Sequence, residues 1–193
     1  MKSSIPTEQS NRLEELKDTQ EKLSTQWIDY WNDYSSIDTW QFWVNVGLII
    51  IPLIILYFLI DRKKIFILGF FGLNIHVWSA YLDAIATRHN YLEYPYKAIP
   101  FIPINFGVDT ALVPVSFILL YQWTLSKNKN FYLYSLVLIG FISFIFRPLT
   151  AAHHLLHLNK GANYFHIFIG YIIITLFSKG ITNVFQYLHT KNK

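Results

Sequence analysis

The 193 residues include 53% hydrophobic and 18% aromatic side chains but only 15% charged ones; a soluble domain carries about a quarter. The net charge of +4 is small and its basic residues are scattered, which argues against a nucleic-acid-binding face. Cysteine is absent, so disulfides, thiolate metal sites and cysteine nucleophiles are excluded.

In chain order, Met1–Pro6 reads as disordered, within a tail of residues 1–9. Residues 10–37 read as an amphipathic helix: Leu13, Leu16, Leu23, Trp27, Trp31 and Tyr34 recur at three- and four-residue steps between charged positions. Its second half is rich in Trp and Tyr, which favour the headgroup region, so it suits a membrane surface or a partner protein. The first 39 residues lack the apolar core of a secretory signal.

Five apolar segments follow, at about residues 40–60, 65–83, 104–125, 131–147 and 163–183. Each approaches the ~20 residues a helix needs to cross the hydrocarbon layer. Pro52 is expected to kink the first. Pro95, Pro100 and Pro103 forbid a regular helix between the second and third. After Pro148 helical character is expected to resume to Leu158, with Gly161 as a C-cap. Lys179 to Lys193 reads as a basic tail, beyond the span from 187 at the latest. The fold class is therefore an all-α polytopic transmembrane helix bundle within residues 40–186.

Basic residues favour an orientation with the N-terminus outside and the C-terminus cytoplasmic in a cell membrane. Arg62, Lys63, Lys64, Lys127, Lys129, Lys179, Lys191 and Lys193 lie on one side, eight against the four Arg88, Lys97, Arg147 and Lys160.

Because antiparallel spans alternate direction, distance from a helix end gives depth. Asn45, Asp83, Asn105, Asp109, Arg147, Asn163 and His166 fall in one leaflet, with His76 near mid-membrane and Asn74 beside it. The other half is expected to be almost purely apolar. His76, Ser79, Asp83, Thr87 and Asn90 share a helical face that leads to Arg88. Ionisable groups in lipid turn inward and pair, so Asp83 or Asp109 is expected to pair with Arg147. The alternative is interfacial residues satisfied by water and headgroups.

His153-His154-Leu155-Leu156-His157 is the one metal-like spacing. His153 and His157 at i and i+4 on a helix can share Zn or Fe. The glutamate that follows the first histidine of a metalloprotease helix is missing, since His154 stands there. As haem ligands, His76 and His166 are the best pair, but at different depths. Ser79 near His76 is a structural neighbour more often than a nucleophile.

Several separated elements resemble a family of small multi-pass membrane proteins of spore-forming Gram-positive bacteria. They are Asn74-Ile75-His76, Tyr81-Leu82-Asp83 with Thr87-Arg88, Tyr94-Pro95-Tyr96, Ile99 to Pro103, Asp109 with Leu112 to Val115, Tyr121 to Leu125, and Asn163 to His166. That family has no assigned activity, so the resemblance implies a membrane location and five spans. It also implies weight on His76, Asp83, Arg88, Asp109 and His166 rather than on the histidine trio.

The leading expectation is a non-enzymatic protein with no cofactor. Its polar cavity in one leaflet would bind a small polar ligand, a lipid headgroup or a partner through Asn74, His76, Asp83, Arg88, Asn105, Asp109, Arg147 and His166. Transport or proton conduction along the His76–Asp109 line is an alternative that needs a polar path through the other leaflet. A metal-dependent membrane enzyme and an accessory subunit are two more.

Overall fold

A computed structural model describes residues 5–191. Met1–Ser4 and the end of the expected tail, Asn192 and Lys193, lie outside the described residues. The described chain forms six helices: α1 (Thr7–Tyr34), α2 (Trp40–Leu59), α3 (Ile65–Arg88), α4 (Val108–Ser126), α5 (Phe131–Ala152) and α6 (Tyr164–Lys191). The last five are long and apolar enough to cross a membrane, as the hydropathy predicts.

The bundle is apolar outside. Ile50, Ile51, Leu53, Phe66, Leu133, Val137, Ile173 and Phe177 are all exposed, which suits lipid and not water. The interior is built by one stripe on α3, Leu68, Phe71, Gly72, Ile75, Ser79 and Asp83, at three- and four-residue steps. It meets Val108, Val113, Phe117 and Tyr121 of α4, Ile139 and Ile142 of α5, and Tyr171 and Ile174 of α6. Two glycines set the closest approaches. A Cβ at Gly72 would collide with Ile118 Cδ1, and one at Gly107 would lie 2.9 Å from the Asn45 carbonyl oxygen.

Two prolines are absorbed rather than obeyed as breaks. Val108–Leu112 and Ile142–Phe146 are π-helical turns, each just before a proline, Pro114 or Pro148. The wider i→i+5 turn lets the chain pass a residue with no N–H without ending the helix. The fourth span therefore continues past Arg147 to Ala152. α2 likewise runs through Pro52.

Beyond Ala152 the expectation fails. His153 and His154 form a turn, with His154 at φ +59°, and His157–Leu158 is a short strand, β2. It pairs antiparallel with β1, Leu92–Glu93, in the register Leu92 opposite Leu158 and Glu93 opposite His157. Gly161 is no helix cap; it sits at φ +75° in the loop before α6. Strand pairing with a segment some 65 residues earlier, invisible to local periodicity, decides this region.

α1 has no buried residue, and its C-terminal end fastens to the loop after β1. Trp31 Nε1 donates to the Lys97 carbonyl at 2.8 Å, the Lys97 amide donates to Ser35 Oγ at 2.8 Å, and the Lys97 ammonium lies 3.9 Å from the Trp27 ring centre. Burial lowers the Lys97 ammonium below the ordinary lysine range.

Candidate functional site: a buried ionic cluster below an amphiphilic cavity

A cavity of about 460 Å³ opens between α3 and α6 at the ribbon end of the bundle. Its walls are apolar, with Leu82, Ala86, Ile167, Gly170 and Ile174. Its floor is Ser79, Asp83, Asp109, Arg147 and Tyr171, and its rim carries Lys160, Asn163 and His166. Lys160 is tied to the rim by donating to the His89 carbonyl at 2.8 Å.

The floor is assembled by the local geometry of four helices. Asp109 lies in the first π turn and Arg147 directly after the second. In this register Val113 N–H donates to the Val108 carbonyl, so the next amide in line for the Asp109 carbonyl is residue 114, a proline. His76 Nδ1 lies 3.1 Å from that carbonyl oxygen and serves as the replacement donor. The histidine thus fixes the backbone of the acidic residue from across the bundle.

Arg147 Nη2 stands 3.5 Å from Asp109 Oδ1 and donates to Tyr171 Oη at 2.8 Å. Both members of the ion pair are almost fully buried, at 3% and 2% side-chain exposure, which places the pair in the desolvated regime. Asp83 completes the cluster. It accepts from the Tyr94 hydroxyl at 2.5 Å and from the Asn105 amide at 3.0 Å, and Asn105 Oδ1 accepts in turn from the Val108 amide. Burial first, and then the Asp83 carboxylate, push the Tyr94 phenol well above the ordinary tyrosine range. Asp109 Oδ2, Arg147 Nε, Arg147 Nη1 and Ser79 Oγ remain buried without partners among the described residues.

Of the eight expected residues, Asp83, Asp109, Arg147 and His166 line the cavity, and His76 and Asn105 support it from behind. Asn74 and Arg88 stay outside: Asn74 bonds the Phe70 carbonyl of its own helix, and Arg88 is exposed. Of the two candidate partners for Arg147, Asp109 makes the ion pair.

Tyr94 and Tyr171 were not expected here: Tyr94 lies in the proline-rich connection, and Tyr171 falls in the stretch Ile167–Phe177 that reads as apolar. A signal for Tyr171 existed: it begins a helical series with Thr175, Ser178, Lys179 and Thr182. That series also corrects two expectations. Lys179 does not open a tail, since α6 continues through Lys191, and the opposite half is not purely apolar. Lys179 is buried and donates to Tyr121 Oη at 2.9 Å and Asn183 Oδ1 at 2.5 Å.

The histidine trio loses its helical premise. His153 packs edge-on against Trp40, whereas His157 lies in β2 with its ring 6.1 Å from that of His154. No group of three or more metal-ligating side chains gathers among the described residues. Compared with known proteins, the chain matches no family, no curated protein and no solved structure.

Proposed function

We propose that this multi-pass membrane protein binds a small amphiphilic ligand in the cavity between α3 and α6, taken from the leaflet on its N-terminal side. The cavity itself carries the proposal: apolar walls over a floor of fixed, desolvated charge. Binding sites commonly have this form, a mostly apolar concavity of ~300–1,000 Å³ with a few convergent polar groups. The polar end of the ligand would sit against Asp83, Asp109, Arg147 and Tyr171. Lys160 and His166 at the rim favour an acidic or phosphate-bearing outer part. A lipid headgroup and a free metabolite share this chemistry. The basic-residue bias supports placing the cavity on the outer side of a cell membrane.

Gly170 gives the test. It lines the cavity, and a Cβ there meets nothing within 4 Å, so Gly170→Leu fills the space without a backbone clash. Native mass spectrometry of protein extracted in mild detergent should show a bound mass in the wild type that Gly170→Leu lacks. Extracted protein with no adduct, even after incubation with total lipid and with metabolite extract, would overturn the proposal.

A further inference from the structure

We infer that the protein conducts protons across the membrane along a buried polar seam that joins the Asp109–Arg147 pair to Lys179. This goes beyond ligand binding and needs the cavity only as an entrance.

The seam follows α6. The buried residues of this helix are Tyr171, Ile174, Thr175, Ser178, Lys179 and Thr182, so all but one bear a polar group. Its exposed face is Ile169, Ile173, Leu176, Phe177, Val184 and Phe185. A helix that only filled a core would bury the second set. α5 packs on α6 and adds Ser135 and Ser143 to the interior, at 2% and 0% exposure. α3 also packs on α6 and adds Ser79 near the entrance.

Five of these buried hydroxyls have no hydrogen-bond partner among the described residues: Ser79, Ser135, Ser143, Thr175 and Ser178. A dry unpartnered hydroxyl costs roughly 1–3 kcal/mol. The low-energy resolution for so many in one interior is internal water, which bridges such groups. From Tyr171 to Lys179 the helix rises only ~12 Å, in steps of at most four residues, ~6 Å, between polar side chains. One water per step closes the line.

Both ends suit a proton and no other ion. At the cavity end Asp109 faces Asp83 and His76 of α3, Tyr94 of the loop, Arg147 of α5 and Tyr171 of α6. At the other end Lys179 faces Tyr121 of α4, the Phe131 ring of α5 and Asn183 of its own helix, with no carboxylate of the described residues in contact. Arg147, and Lys179 once it carries the proton, repel metal cations, and Asp83 and Asp109 repel anions. A proton entering from the cavity neutralises the Asp109 carboxylate. Each oxygen of the seam then accepts one proton and releases another. A neutral Lys179 amine takes the last, and the resulting ammonium delivers it to water at the far face. Nothing is consumed.

The full chain, reconstituted in liposomes containing a trapped pH dye with valinomycin and K⁺ to clamp the potential, should collapse an imposed pH gradient faster than protein-free liposomes. Thr175→Val, which keeps shape and loses the hydroxyl, should slow this by about tenfold, as should Lys179→Met; a tenfold change corresponds to ~1.4 kcal/mol. Thr175→Ser, which puts the hydroxyl back, should rescue the flux that Thr175→Val loses, and the lipid-facing Ile173→Leu, outside the seam, should conduct like the wild type. Wild-type liposomes as tight as empty ones would overturn the inference. So would Thr175→Val at the wild-type rate, or a flux carried by K⁺ or Cl⁻ at constant pH.

Discussion

Replacing Arg147 with methionine removes the one guanidinium among two buried carboxylates, and the size of the loss follows from the geometry. At 3.5 Å the Asp109–Arg147 attraction is about 5 kcal/mol at an effective dielectric of ~20. Burial offsets this by several kcal/mol per ion, so the intact pair adds little net stability. Removing one member leaves the other buried and uncompensated, which costs ~3–5 kcal/mol. Arg147→Met should lie at the upper end, because Asp109 and Asp83 then face each other alone. Asp109→Leu should cost less, since Asp83 remains beside the guanidinium. The double variant should return to within ~1–2 kcal/mol of the wild type, because Asp83 keeps its own donors, Tyr94 and the Asn105 amide. Unfolding in mixed micelles titrated with dodecyl sulfate, followed by far-ultraviolet circular dichroism, measures the four corners of this cycle. Losses that simply add would refute the argument that the two charges compensate each other.

The same geometry sets further expectations. Gly72→Ala drives a methyl into Ile118 and should destabilise by ~1–3 kcal/mol in the same titration, whereas Gly69→Ala, with nothing within 4 Å of its Cβ, should be neutral or slightly stabilising. Tyr94 is held protonated in the fold, so its contribution is complete below the unfolded tyrosine value of ~10 and is lost as pH rises beyond it. Tyr94→Phe should therefore show a weaker alkaline fall in melting temperature than the wild type, and a lower melting temperature at neutral pH because Asp83 loses a donor. The cysteine-free background allows His166→Cys and Lys129→Cys to be labelled from opposite sides by a membrane-impermeant maleimide. Labelling of the first from outside intact cells checks the orientation.

The bundle was legible because its signals are local. A span announces itself by length and hydropathy, and the charges flanking it fix its ends. The ionic cluster was legible for a related reason: depth in an antiparallel bundle can be counted along the chain, which put Asp83, Asp109 and Arg147 at one level. The hydroxyl residues of α6, Thr175, Ser178 and Thr182, escaped notice, since serine and threonine cost little in an apolar helix and can bond their own backbone. Lys179 escaped because a lysine near a span end reads as a flank.

Composition and periodicity by themselves determined five helices long and apolar enough to cross a membrane, a leading helix before them and a polar level at one end of the bundle, because each depends on residues a few positions apart. The tertiary structure alone decided which acid meets Arg147, why His76 faces the backbone of Asp109, and that His157 pairs with Glu93 instead of continuing a helix. It also decided that the polar face of α6 turns inward. Those outcomes depend on helix rotation and on contacts between distant segments. The energy of both lies in desolvation and close packing across the bundle, which no local pattern encodes.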